Sequence, residues 1–101
     1  MSTDARFDEF IHAPLRLRIC GLLRAGKGVD FGVLRDTLGI TDANLSKHLK
    51  LLADAGAITM DKASSVARTD ARRVAWVALT PRGADAFDAH VEALRAITRG
   101  E

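Results

Sequence analysis

Asn44, Ser46, Lys47 and Lys50 fall within one stretch, TDANLSKHLKLLADAG from Thr41 to Gly56, and offer an amide, a hydroxyl and two ammonium groups. Short amides and hydroxyls can discriminate base edges through hydrogen bonds, and ammonium groups hold phosphate oxygens. Leu45, Leu49 and Leu52 are interleaved with them at helical spacing, so a single helix would carry a small polar front and an apolar back. A second basic group lies downstream, where Arg68, Arg72 and Arg73 are opposed locally only by Asp70. The chemistry open to these residues is hydrogen bonding and ion pairing to a polyanionic duplex from two patches at once. An ordinary solvated turn and helix face would carry the same charges, so the elements that position them must decide.

Other chemistries lack their residues. The chain has no Ser, His and acid motif, no HExxH and no phosphate-binding glycine loop, and an enzyme is not expected. Asp30, Asp36, Asp42 and Asp54 read as caps, linker residues and solvated helix residues. His12, Cys20, His48 and His90 are widely separated with no ligand motif, which predicts neither a metal site nor a cofactor. Cys20 is the sole cysteine, set in the apolar run RLRICGLL, and reads as a buried structural thiol. A formal net charge of +2 is too small to name a partner by itself, so the distribution matters more than the sum. The first residues, MSTDARFDEF, lack an apolar signal run, and no stretch is long and apolar enough for a membrane span. Cytoplasmic residence is expected, and no small-molecule effector is named by any motif.

Local signals divide the 101 residues into ordered elements within one domain. Phe7, Phe10 and Ile11 recur at helical spacing. Pro14 suits the first turn of a helix through PLRLRICGLLRAG with Leu15, Ile19, Leu22 and Leu23 as its stripe and Gly26 as its C-cap. Asp30 can cap the short helix FGVLRDTLG, which Gly39 ends, and Thr41 can cap the next, which Gly56 ends. Two amphipathic helices joined so tightly are the sequence expression of a helix-turn-helix. AITMDK and RRVAWVALT then read as two strands, with Ile58 and Met60 sharing a side of the first, and Ala75, Val77 and Leu79 sharing a side of the second. The intervening DKASSVARTDAR is basic and longer than a minimal turn, which predicts a wing with a mobile tip. Thr80 and Pro81 start a last helix, whose Ala84, Phe87, Val91, Leu94 and Thr98 keep a helical rhythm that Ile97 broadens.

In FDEFIHAPLRLRI, DFGVLRDTLGITDANLSKHLKLLADAGAI and VALTPRGADAF the chain resembles the winged helix-turn-helix transcriptional regulators, related in layout to the arsenic-responsive and multiple-antibiotic-resistance repressors. The resemblance runs from Phe7 to about Leu94. It implies a mainly α fold with a small β-hairpin wing (α+β), a single DNA-binding domain over 7–101 and a terminal dimerisation helix over 81–99, while 1–6, outside the resemblance, reads from its own composition as a flexible N-terminus. It also implies a homodimer that binds double-stranded DNA sequence-specifically and regulates transcription. Thr41, Asp42, Asn44, Ser46, Lys47 and Lys50 would lie near DNA, joined by Arg68, Arg72 and Arg73 from the wing. Phe7, Phe10, Ile11, Ala84, Phe87, Val91, Leu94 and Ile97 would join the subunits. Relatives often carry an aromatic residue where this chain has Val77, and a proline in the wing where it has SSVARTDARRV.

Three readings stay open at this level. A winged-helix protein-interaction module would use the same fold without specific DNA binding. His48 points between the front and back of its helix, where it would either pack or reach a phosphate. Trp76 would either pack against the final helix or a dimer seam, or line an effector pocket.

Overall fold

The computed structural model describes residues 4–26, 28–64 and 73–101, with backbone alone at 62–64, 73 and 74. In chain order it contains α1 (Glu9–His12), α2 (Pro14–Arg24), β1 (Val29–Asp30), α3 (Phe31–Leu38), α4 (Asp42–Asp54), β2 (Ile58–Ser64), β3 (Arg73–Leu79) and α5 (Pro81–Thr98). The three strands form one antiparallel sheet in the order β1-β3-β2. The result is a mainly helical fold with a small sheet, as the chain's patterning predicts.

Most helix ends form where side chains can satisfy the unpaired N–H groups. Asp30 Oδ1 accepts from Gly32 N at 2.6 Å, and Thr41 Oγ1 accepts from Asn44 N at 3.1 Å. Pro14 and Pro81 occupy first-turn positions, where a missing N–H costs nothing. Gly39, at φ 67°, ends α3 in the left-handed region, and its N–H bonds the Arg35 carbonyl at 2.9 Å. The end of α2 differs from expectation: its C-cap is Ala25 in right-handed geometry, and Gly26 is not the left-handed residue. The Gly-Lys-Gly spacing marks where the helix stops but not the residue that makes the stop.

The core is built around the back of α4. Leu45, Leu49 and Leu52 are each fully buried, and they share a cluster with Ile19, Cys20 and Leu23 of α2, Leu34 and Leu38 of α3, Ile58 of β2 and Val77 of β3. Leu22 is not part of that buried side, being 38% exposed on the outer flank of α2. Burial pushes the Cys20 thiol up to about 11, so it stays protonated at neutral pH and acts as a small apolar filler.

The strand β1 is not visible in the sequence pattern, because a two-residue strand has no alternation to read. It pairs Val29 with Val77 and Asp30 with Trp76, so the segment that caps α3 also closes one edge of the sheet. On the other edge Met60 pairs with Val77 and Asp61 with Trp76. Val77 faces the core, and Trp76 faces outward at 43% exposure between Asp30 and Asp61 of its neighbouring strands. Strand alternation had to send either Val77 or Trp76 outward, and the buried side holds Val77, so of the places left open for Trp76 the core of the chain is not the one it takes.

The N-terminal segment lies across α5. Arg6, which falls in the stretch expected to be loose, donates its N–H to the Ala89 carbonyl at 3.0 Å. Asp8 caps α1 by accepting from Ile11 N at 3.0 Å, while its own N–H donates to His90 Nδ1 at 3.0 Å. His90 is completely buried, with His12 Nδ1 3.1 Å from its Nε2 and the Phe7 ring edge-on at 4.7 Å. Because Nδ1 accepts a backbone bond, the His90 proton must sit on Nε2, where it can donate to His12. No sequence motif links two histidines 78 positions apart, so their meeting is invisible before the chain folds.

The first turn of α5 rests on the end of α4. Thr80 Oγ1 donates to the Gly56 carbonyl at 2.7 Å and accepts from Gly83 N at 2.9 Å, and Thr80 N reaches the Ala57 carbonyl at 3.0 Å. Gly83 is buried against Ala57, and a Cβ there would overlap the Ala57 carbonyl oxygen. Helix propensity alone favours Gly83→Ala by about 0.5–1 kcal/mol. The overlap reverses that sign, and a net loss of about 1–3 kcal/mol is expected in urea denaturation; a gain would show that this close approach is not made.

Stability should also depend on pH through His90. Burial, and then His12, hold its pKa below the ordinary 6.5, with Asp8 opposing. The unfolded chain therefore binds more protons than the folded one as pH falls through the ordinary value, so His90's contribution is complete above that value and lost below it. Thermal midpoints measured between about pH 7 and pH 5 should fall with pH. His90→Asn, whose amide oxygen can take the Asp8 N–H without titrating, should flatten the fall, and an unchanged slope in this variant would exclude His90 as its source.

Candidate nucleic-acid interface

The buried leucine row fixes which way the rest of α4 points. At about 100° per residue, Lys47 lies opposite that row, Asn44 and His48 share one flank, and Ser46 and Lys50 share the other. Asn44, Ser46, Lys47 and Lys50 are all exposed, whereas His48 is half-buried. The helix thus brings an amide, a hydroxyl and two cations to one solvent-facing surface, and Thr41 and Asp42 stand exposed at its first turn.

The charges on that surface are unequally engaged. Lys50 reaches Asp54 one turn on at 3.3 Å, with both groups largely in water, so the pair is weak and exchangeable. Lys47 has no ion pair among the described residues. Asp42 pairs with Arg35 of α3 at 2.9 Å, and Arg35 also reaches Asp36 at 2.9 Å. This bridge spans the α3–α4 turn, so Asp42 both belongs to the exposed end of α4 and ties that end to the preceding helix. Thr41 has its hydroxyl committed to the cap.

Of the basic wing residues, Arg68 and Arg72 lie outside the described residues, as does the predicted tip. Arg73 opens β3 opposite Ser64, with only its backbone described. The paired strands of the hairpin extend from the core beside α4, with β2 starting one residue later and running two residues further than AITMDK suggests.

A family model of the winged helix DNA-binding domain matches residues 15–98. The chain belongs to this family. Its winged helix is similar in fold to a transcriptional regulator homologue from Pyrococcus horikoshii OT3, with a TM-score of 0.81 at 24% identity over 92% of this chain and 88% of that one. It is also similar to MepR of S. aureus, solved as a DNA complex, with a TM-score of 0.72 at 17% identity, covering 91% of this chain and 72% of MepR. A third likeness is to NadR, solved with 4-hydroxyphenylacetate, at a TM-score of 0.72 and 22% identity over 91% of this chain and 62% of NadR. A search of curated proteins finds no match. Within the winged helix, α3 and α4 are the helix-turn-helix pair, and β2 and β3 are the arms of the wing.

The residues expected at a subunit seam do not form one uniform surface. Ile11 is only 2% exposed within a single chain, and so it is corrected from partner surface to core. Its spacing with Phe7 and Phe10 is helical, but α1 is a single turn pressed between α2 and α5. Ala84 and Phe87 are half-buried towards α2, where a Cβ at Gly21 would stand 3.8 Å from Phe87 Cζ. Beside them the bidentate Arg24–Asp88 pair, 2.9 Å at each contact, ties α2 to α5 and holds the Asp88 carboxyl below the usual range. Beyond this tie the helix is less covered: Val91 and Leu94 are half-buried and Ile97 is 57% exposed. Phe10 is half-buried beneath the Arg16 guanidinium, and Phe7 is 41% exposed next to α5.

Two shallow clefts flank the α5 start. One, of about 270 Å³, lies between Leu23, Arg24, Leu79 and Ala84, and the other, of about 240 Å³, lies between Phe10, Ala57, Arg82 and Ala86. Trp76 lines neither of them. Among the described residues no three His, Cys, Asp or Glu side chains converge as a metal-ligand set, and no helix is long and apolar enough to cross a membrane.

Proposed function

We propose that this winged helix binds duplex DNA sequence-specifically, as a homodimer without enzymatic activity, and thereby regulates transcription. The observation that carries the reading is the exposed polar face of α4, held outward by three buried leucines on the opposite side. Family membership and the likeness to MepR, solved on DNA, support it. In this reading α4 enters the major groove, where Asn44 and Ser46 meet base edges directly or through water. Lys47 and Lys50 hold phosphates, and the wing residues Arg68, Arg72 and Arg73 reach the flanking backbone or minor groove. Thr41 and Asp42 flank the entering end of the helix, with Asp42 contributing through its tie to Arg35.

Selection of duplexes from random-sequence DNA by the purified protein tests this directly. Enrichment of a defined site is expected, with affinity falling as salt rises because Lys and Arg displace condensed counterions. Lys47→Ala with Lys50→Ala should weaken binding to all duplexes and lower the salt slope by roughly 1 for each phosphate that no longer meets a lysine. Asn44→Ala should instead relax preference at one base pair, worth about 1–3 kcal/mol of discrimination. No enriched duplex at low salt, together with specific retention of a protein partner, would favour the protein-interaction module.

The homodimer is proposed through the less covered end of α5, where Val91, Leu94 and Ile97 continue the rhythm of Ala84 and Phe87, with help from the exposed Phe7 and the half-buried Phe10. Two such subunits would set their α4 helices on successive half-sites about 34–36 Å apart, or a multiple of it. Light scattering should return a dimer for the wild type and a folded monomer for Leu94→Asp. A wild-type monomer over a wide concentration range would exclude the pairing.

A further inference from the structure

Arg16 joins three helices at one point. From α2, its Nε donates to the Phe10 carbonyl of α1 at 2.8 Å, its guanidinium lies 4.3 Å from the centre of the Phe10 ring, and its Nη1 stands 3.3 Å from His48 Nδ1 on α4. The first two contacts fix the guanidinium, leaving Nη1 aimed at the imidazole. A guanidinium has five N–H donors and no acceptor. The His48 Nδ1 in this contact must therefore be the accepting, unprotonated nitrogen, and the ring's proton must be on Nε2. Nε2 has no partner among the described residues.

The position of His48 gives that hydrogen a direction. The residue lies one turn beyond Asn44 on the same flank of α4, between the solvent-facing front and the leucine row. For a helix seated in a groove, this flank faces the groove wall, which is made of phosphates. We propose that Arg16 is a positioning residue that presents His48 to DNA as a neutral Nε2–H donor, and that this hydrogen bond is made to a phosphate oxygen. The inference deepens the DNA-binding reading and rests on it. Burial first, and then the charged groups that face His48, Arg16 from α2 and Lys47 on α4 itself, hold its pKa below the ordinary value. A neutral contact follows, and it differs from a lysine contact in a measurable way. It fixes no extra cation on the DNA, so removing it changes affinity but not the number of counterions released.

The state of His48 can be read without DNA, from imidazole nitrogen shifts in the full-length protein at neutral pH. The expected result is the Nε2–H tautomer in the wild type and a mixture of tautomers in Arg16→Met. Affinity is then measured on a duplex selected by the wild-type protein. His48→Asn keeps an acceptor for Arg16 but removes the outward donor, and should weaken binding on the order of tenfold at an unchanged salt slope. His48→Gln, with an amide N–H near the Nε2 position, should retain most of the affinity. Both variants are checked for folding by thermal denaturation. An imidazolium or Nδ1–H form in the free wild type would overturn the role of Arg16. Wild-type affinity in His48→Asn, or a reduced salt slope, would overturn the phosphate contact. If the wild type selects no duplex, the DNA reading falls and the contact with it, while the nitrogen shifts still judge the Arg16 tie separately.

Discussion

Burial of the α4 leucine row is the interaction on which the remaining structure depends. Leu45, Leu49 and Leu52 meet α2, α3 and the strands in one cluster, and each is completely removed from water. A buried leucine contributes about 1.5–3 kcal/mol relative to an exposed one, so three in a row outweigh any orientation that surface charges could impose on the helix. The polar residues between them are consequently held outward whatever they bind. The capping bonds from Asp30 and Thr41, and the Arg35 bridge across the α3–α4 turn, then set how far the exposed end of the helix stands from the body.

The same cluster explains why much of the fold is legible in the chain. Caps and stops act within three or four residues, so Thr41, Thr80, Pro14, Pro81, Gly39 and Gly56 can be placed from local chemistry. The alternation of Ile58 with Met60, and of Val77 with Leu79, also needs only neighbours. What is not legible depends on contacts between distant segments. Val29 and Asp30 become a strand because Val77 and Trp76 are there to pair with, and no property of the dipeptide announces it. Ile11 has a spacing that fits a partner surface, yet tertiary packing buries it within the chain, and only the pairing of β3 with both neighbours shows what stands beside the outward Trp76.

The candidate site is legible to a similar depth. Asn44, Ser46, Lys47 and Lys50 reach one face because a 3.6-residue period forces it. Which of their charges are engaged is a separate matter, since Asp42 meets Arg35 across a turn and Lys50 meets Asp54 along the helix. His48 shows the limit most clearly. Its half-exposed position follows from the helical period, but its tautomer follows from Arg16, which sits 32 residues earlier and is itself fixed by Phe10. Conversely, His90 is polar by composition and fully buried by packing, satisfied by the Asp8 N–H on one side and His12 on the other.

Charge contributes to this architecture mainly by where it is left unpaired. The net excess is only +2, and several arginines are spent within the chain on Asp88, Asp36, Asp42, Glu92 and Glu101. Lys47, by contrast, stands at the outermost line of α4 without an intramolecular ion pair among the described residues. The most direct test of an outward-held α4 as the DNA-reading element is amide chemical-shift mapping of the labelled protein during titration with a selected duplex. The largest changes are expected on 41–50 of α4 and on the wing, with the packing of Leu45, Leu49 and Leu52 preserved. Changes centred instead on the outward Trp76 face or on α5, with α4 unmoved, would contradict it.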